Sequence, residues 1–251
     1  MGLGQAGYQT FIVLFAAHLM ADFVVQTDIM VENKKKVCVS LLHTGIVLLA
    51  VIILSGTLNF FAITIIGVTH YIIDWWKAHQ EKFEALNAFS VDQILHVSVL
   101  LVVTLLFPRL YEHGIWLDPN SIIPKNFSQA TVQVYLKALI GISALILVTK
   151  FSGIVVRHFM ARFPYNDFGK SLRNAGLYIG YLERLLVLFL FWVGYPSGVG
   201  FVFAAKSLLR FNQVRSRKTS EYVLIGSLLS FTLAFAIAWG AQQAVKLIQI
   251  P

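Results

Sequence analysis

Cysteine is almost missing from this chain, with Cys38 the only one among 251 residues. An internal disulfide and a cysteine-based zinc knuckle are thereby excluded, and cysteine usage leaves the redox compartment undetermined. Charge is scarce as well. Asp, Glu, Lys and Arg make up 13% of the residues against 57% hydrophobic ones, and the mean hydropathy is +0.73. Such a balance excludes a soluble globular domain and predicts an all-α polytopic membrane protein, in one domain or two helical halves. Acids are the rarer sign, 12 against 20 bases, for a formal net charge of +8. No basic stripe lies outside the connections between hydrophobic runs, so nucleic acid is not an expected partner. The positive excess reads as topological, with membrane lipids and their anionic head groups as neighbours.

Runs long enough to cross a bilayer occur at roughly 9–27, 39–55, 58–77, 91–111, 131–156, 177–194, 197–211 and 221–245, which predicts about eight transmembrane helices. The first run has no basic n-region and no small-residue cleavage site, so it is expected to be a retained helix rather than a signal peptide. Three regions follow: 1–111, a four-helix bundle; 112–130, an outer loop of mixed character with Pro119 and Pro124; and 131–251, a C-terminal four-helix membrane region. Alternating spans make two sets of connections, and the bases sort between them. Those at 34–36, 77–82, 150–173 and 206–218 fall on one side, while Arg109, Lys125, Lys137 and Lys246 fall on the other. By the positive-inside rule the first side is cytoplasmic and both termini face outward. The basic, partly apolar stretch 157–173 is expected to lie on the inner membrane surface.

What the chain does have is a histidine and an aspartate four residues apart in three hydrophobic runs: His18/Asp22, His70/Asp74 and, reversed, Asp92/His96. One helical turn puts both members of a pair on the same face. Ionisable groups inside a membrane are costly and mark function by default. A single pair reads most simply as an isolated hydrogen bond in which the carboxylate sets the imidazole tautomer. Three pairs, in a chain with only seven histidines, point to one joint site. The topology agrees, because Asp22 and Gln26, His43, His70 and Asp74, and Asp92 and His96 all converge on the cytoplasmic third of the membrane. His79, His113 and His158 lie in connections or at span ends and are left out.

The same residues reveal a duplication. His18, Asp22 and His43 recur as His70, Asp74 and His96, at offsets of 52, 52 and 53 residues. Two copies of one helical hairpin, both starting outside, would be related by an axis along the membrane normal and would bring two His-Asp-His sets face to face. Asp92 and Gln93 have no acidic counterpart near Val39 and Ser40.

Imidazole nitrogen and carboxylate oxygen suit a divalent metal, with zinc first and manganese or iron as alternatives, held between facing helices. Seven candidate ligands, His18, Asp22, His43, His70, Asp74, Asp92 and His96, exceed what one tetrahedral ion needs. Either two ions share the site, or one is held and the remaining groups support it and act as base. Asp92, which breaks the duplication, is the candidate catalytic residue, as a bridging ligand or general base. Gln26 and Gln93 are candidate supporting donors, and Lys77 could engage an anionic substrate or extend to the head groups. The leading expectation is a metal-dependent hydrolase acting at the inner leaflet on a lipid-linked or amphiphilic ester, phosphoester before acyl ester. The competing ones are an ion or proton transporter or sensor, against which stand the absence of an inverted repeat and a cluster nearer one face than the midplane, and a purely structural metal.

The segments His-Leu-Met-Ala-Asp-Phe-Val-Val-Gln at 18–26, Leu-Leu-His at 41–43, Thr-His-Tyr-Ile-Ile-Asp at 69–74 and Asp-Gln-Ile-Leu-His at 92–96 together resemble the bacterial membrane family known as domain of unknown function 3307, over about residues 10–106. Further segments at 176–184, 204–211 and 221–230 look like the C-terminal extension of its longer members. The resemblance implies a bacterial cytoplasmic (inner) membrane and no established activity. More loosely, the intramembrane His-xxx-Asp pattern is similar to that of membrane-bound metal-dependent hydrolases.

In the C-terminal half, Glu183, Arg184, Lys206, Arg210 and Glu221 are expected at cytoplasmic depth. They read as ion pairs tying helices together or, in a sharper version, as cations that hold a phosphate or carboxylate beside the metal. Gly176 and Gly180 form a small-xxx-small pair, which predicts close helix packing.

Overall fold

A computed structural model of the protein describes residues 3–80, 84–118, 120–121, 127–163, 175–211 and 217–248, apart from the side chains of 175 and 207–211. The expected inner-surface stretch is thus described only as far as Phe163. Lys82, Pro119, Pro124, Lys125, Lys170, Arg173, Arg215 and the Arg210 side chain lie outside the described residues. Every regular element among the described residues is helical. Five helical stretches are long and apolar enough to cross a membrane: Gln5–Val25, Val37–Ser55, Ala85–Leu106, Gln129–Met160 and Arg217–Leu247. Phe60–Ala78, which carries His70, Asp74 and Lys77, falls outside that set, and the described residues also include the helices Ala175–Trp192, with Glu183 and Arg184, and Gly198–Phe211.

The chain divides into two compact units, Met1–Ser143 with Ala244–Pro251, and Ala144–Gln243. In the first, α1 (Gln5–Met20) runs into a π-helical turn at Ala21–Val25, followed by the short α2 (Asp28–Glu32), then α3 (Val37–Ser55), α4 (Phe60–Ala78) and α5 (Ala85–Leu106). Helix α1 packs on α3 and α5, and α4 packs on the same two, so four helices close a ring. Their buried stripes follow helical spacing: Ser40, His43, Thr44, Val47 and Val51 on α3, and Phe89, Asp92, His96, Leu100 and Val103 on α5. The opposite faces carry large apolar side chains that stay exposed, among them Leu41, Leu42, Leu49, Phe60, Phe61, Val68, Ile72 and Ile94. Polar groups inside and bare hydrocarbon outside is the arrangement that lipid, not water, selects.

Within the ring the polar and apolar residues separate along the axis. Leu14, Ala17, Val47, Val51, Ala62, Ile66, Leu100 and Val103 form a dry core, with alanines on α1 allowing close approach. Beyond it, toward the C-terminal ends of α1 and α4 and the N-terminal ends of α3 and α5, lie the histidines and aspartates. Hydrogen bonds close the other end. Thr10 Oγ1 donates to Pro108 O (2.8 Å), Ile115 N to Gly56 O (2.8 Å), Trp116 Nε1 to Ile53 O (2.9 Å) and Tyr135 OH to Leu54 O (2.7 Å). Tyr135 belongs to α6 (Gln129–Ile146), within which the division between the units falls.

The second unit contains a π-helical turn at Leu147–Phe151, α7 (Ser152–Met160), α8 (Ala175–Trp192), α9 (Gly198–Phe211) and α10 (Arg217–Leu247) as far as Gln243. Its core is Ala144, Val148, Val187, Leu188, Phe191, Phe231, Ala234 and Ala238.

Helix α3 ends at Gly56, whose φ of +67° is the left-handed cap that glycine tolerates. A Cβ there would run into the Trp116 ring, and one on Gly114 would run into the Ser55 carbonyl, whereas one on Gly45 meets nothing within 4 Å. Gly56→Ala and Gly114→Ala should each destabilise the protein by about 1–3 kcal/mol. Gly45→Ala, in mid-helix, should be neutral or stabilising by up to about 1 kcal/mol. Thermal unfolding of the three variants in detergent checks the order.

Candidate metal centre

Four backbone devices aim the donors. The π-turn after α1 closes with Gln26 N donating to Ala21 O (3.0 Å) and carries Asp22 in its first turn; such widened turns occur mostly as local insertions and often at functional sites. Thr27 caps α2 by accepting from Met30 N, and Asn33 Nδ2 donates back to Ile29 O (2.9 Å), so the chain reverses before α3. Ser40 Oγ donates to Lys34 O (2.7 Å), which holds the Lys34 backbone against the start of α3 while its side chain turns inward. On α5, His96 Nδ1 donates to the Asp92 carbonyl (2.9 Å), leaving Nε2 as the unprotonated nitrogen.

The seven expected donors meet in one buried cluster, their side chains between 0% and 7% exposed. The rings of His18, His43, His70 and His96 lie 4.3 to 6.0 Å apart, centroid to centroid, for the neighbouring pairs. Asp22 Oδ1 is 3.4 Å from His43 Nε2, 3.6 Å from His18 Nδ1 and 3.8 Å from His70 Nε2. Asp74 Oδ2 is 3.4 Å from His70 Nε2 and 3.6 Å from His43 Nε2. These separations exceed the ~2.7–3.2 Å of a good N–H···O hydrogen bond. They suit donors gathered around a cation: His43, His70 and Asp74 offer ligand atoms that all lie within 4.8 Å of one another.

The hydrogen-bond inventory points to the same atoms. Among the described residues, the buried side-chain nitrogens and oxygens without a hydrogen-bond partner are His18 Nε2, Asp22 Oδ1, Gln26 Nε2, both His43 ring nitrogens, His70 Nε2, Asp74 Oδ2, Asp92 Oδ1 and His96 Nε2. All but Gln26 Nε2 belong to the seven donors. Leaving such a group unpaired costs about 1–3 kcal/mol each, and more if charged, so their concentration in one place calls for a ligand that satisfies several at once. The set His43, His70 and Asp74, whose ligand atoms lie within 4.8 Å of one another, has the imidazole and carboxylate chemistry that a borderline divalent ion takes. Asp74, Asp92 and His96 form an adjoining set whose ligand atoms lie within 4.8 Å of one another, as do His18, Asp22 and His70.

The remaining carboxylate oxygens are held from outside. Lys34 Nζ lies 2.8 Å from Asp74 Oδ1, and Lys77 Nζ lies 2.6 Å from Asp92 Oδ2, which also accepts from Gln93 Nε2 at 3.0 Å. Each carboxylate thus presents one oxygen to a lysine and turns the other, unpartnered one into the cluster. With neutral imidazoles, three aspartates and two lysines leave one negative charge uncompensated, the sign that a bound cation corrects. Lys34 was not among the sequence-derived site residues. It counted only as one of three adjacent loop lysines, and nothing local distinguishes it from Lys35 and Lys36. Lys77, read as a substrate-facing or lipid-facing cation, instead pairs with Asp92 while 31% of its side chain stays exposed.

Glu183 and Arg184 lie in the second unit and have partners there. Lys206 Nζ is 2.5 Å from Glu183 Oε2, tying α9 to α8, while Arg184 donates through Nε to Val148 O and through Nη1 to Ser230 Oγ (2.9 Å). Glu221 pairs with Arg217 one turn away on α10.

No curated protein and no solved structure matches the chain. The ring of helices and all seven donors fall inside the one segment for which a family is found: residues 10–124 match the family described as "Protein of unknown function (DUF3307)".

Proposed function

We propose that the protein is a membrane-embedded, metal-dependent hydrolase whose site opens to the cytoplasmic side and acts on a lipid-linked or amphiphilic ester, with phosphoesters preferred. The observation that carries this reading is the group of four unpartnered donors, Asp22 Oδ1, His43 Nε2, His70 Nε2 and Asp74 Oδ2, with each nitrogen 3.4 to 3.8 Å from each oxygen. In the same reading the chain has eight spans with both termini outward in a bacterial inner membrane, and the ring is two copies of one hairpin. The analogy with membrane-bound metal-dependent hydrolases belongs here too, as analogy.

A bound divalent ion, zinc first, would polarise the ester and bring the pKa of a bound water to about 7. The protein's own groups do the rest. Asp92 Oδ1 is the general base and takes the proton of the attacking water, while Lys77 and Gln93 hold Oδ2 and so fix the carboxylate. His96, anchored through Nδ1, and His18 offer Nε2 atoms toward the same space. A cavity of about 10 Å³ beside His18, His70 and His96 has room for one water. Lys77, half in and half out, is the group an anionic substrate meets first.

The tightness of that cavity also favours a second reading, a metal that only braces the bundle. Two measurements separate them. Elemental analysis of purified full-length protein should find at least one zinc, manganese or iron per chain, and His70→Ala and Asp74→Asn should each lose most of it. A metal-free wild type, or undiminished metal in both variants, would remove the basis for the proposal. Second, Asp92→Asn should keep the metal and the fold but lower turnover of an amphiphilic phosphoester by about 100-fold or more. Metal retained with no turnover of phosphoester or acyl ester by wild type leaves the structural reading standing.

A further inference from the structure

The second unit contains an open cleft of about 740 Å³ between α7, α8, α9 and α10. Its wall carries three cations, Arg157, Arg184 and Lys206, and one acid, Glu183. Glu183 is taken up by Lys206 at 2.5 Å. The two arginines therefore leave a net excess of two positive charges facing one space.

Arg184 is the unusual member. It is 3% exposed, and among the described residues its hydrogen bonds go only to neutral oxygens, Val148 O and Ser230 Oγ, with the Tyr181 ring 5.4 Å from Cζ. These contacts use Nε and Nη1, and among the described residues Nη2 makes no hydrogen bond. A buried guanidinium hydrogen-bonded to neutral oxygens is costly, and its planar fork matches a phosphate or carboxylate. Glycines keep the approach open. A Cβ on Gly180 would come within 3.1 Å of Nη1, one on Gly153 within 3.8 Å of Nη2, and Gly176 faces open space. Gly180 thus leaves room for an arginine of its own helix. Apart from Tyr222, Ser227 and Ser230 the rest of the lining, including Val156, Leu177, Ile179 and Val223, is apolar.

We propose that this cleft binds a phosphate-bearing anion, with Arg184 as the buried anchor and Arg157 as the exposed cation at its mouth. The proposal uses no feature of the His/Asp cluster and stands or falls without it. The shared chemistry is a phosphate group, from a lipid head group or from a soluble phosphate ester, and the apolar lining suits the acyl chains of a lipid.

The test uses full-length protein in phosphatidylcholine nanodiscs, titrated separately with dioctanoyl phosphatidic acid, glycerol 3-phosphate and dioctanoylglycerol. Saturable binding of phosphatidic acid near one per chain is expected, with no binding of the uncharged dioctanoylglycerol. Arg184→Gln and Arg157→Gln should each weaken it about tenfold or more. Because Arg184→Gln removes a buried group and can unfold the unit, the exposed Arg157→Gln, checked for retained helical content, decides. Binding of phosphatidic acid alone supports a lipid source, and equal binding of glycerol 3-phosphate supports a soluble one. Absence of saturable binding for both phosphates, or affinity unchanged in folded Arg157→Gln, overturns the proposal.

Discussion

Everything in the first unit depends on one constraint: polar side chains that face the interior of an apolar bundle must be satisfied by one another or by a ligand. The ring of α1, α3, α4 and α5 meets it only in part. Lysines from the α2–α3 connection and the end of α4 satisfy one oxygen each of Asp74 and Asp92, and a backbone carbonyl satisfies one nitrogen of His96. What remains is a set of ring nitrogens and carboxylate oxygens 3.4 to 3.8 Å apart, too far for good hydrogen bonds. A neutral imidazole has one N–H to offer and keeps one nitrogen lone pair, and several imidazoles share the same two oxygens. A multivalent cation would satisfy several of these groups together, which is the ground for the metal site proposed above.

The local part of this site was legible in the sequence because an α-helix converts a spacing of four into a shared face. His18 with Asp22, His70 with Asp74, and Asp92 with His96 needed no tertiary information to be paired. His43 was legible by another route, through a spacing of 53 residues to His96 that matches the 52 residues between His18 and His70 and between Asp22 and Asp74. Lys34 was not legible. Its inward turn depends on the reversal at 27–36 and on Ser40 Oγ holding its carbonyl, contacts that no periodicity encodes. The Lys77–Asp92 pair spans two helices and is likewise set by packing. Nor does hydropathy signal the π-turn at Ala21–Val25, because inserting one residue into a helix leaves composition unchanged.

For the fold, the helical class and membrane character followed from composition, and the structure has five helices of spanning length and apolarity. The polar residues of α4, His70, Asp74 and Lys77, are what lower it by that measure. In α4 those same charges are buried or paired within the ring. A helix whose polar groups are neutralised by neighbours presents lipid with a more apolar face than its own sequence implies, so hydropathy averaged over all its residues understates how well it suits hydrocarbon.

Among the described residues, the cluster of the first unit and the cleft of the second fail to balance their charges in opposite directions. The cluster sets three aspartates against two lysines and turns unpaired oxygens inward, while the cleft sets three cations against one acid. Neither deficit can be relieved by hydrogen bonding to neutral groups alone, since neutral partners orient a charge without cancelling it, as Val148 O and Ser230 Oγ do for Arg184. One ligand cannot serve both, because a cation that completes the carboxylate cluster would be repelled by the arginines and an anion that completes the cleft would be repelled by the aspartates. The two proposed sites therefore take separate ligands, a cation at the carboxylate cluster and an anion at the cleft.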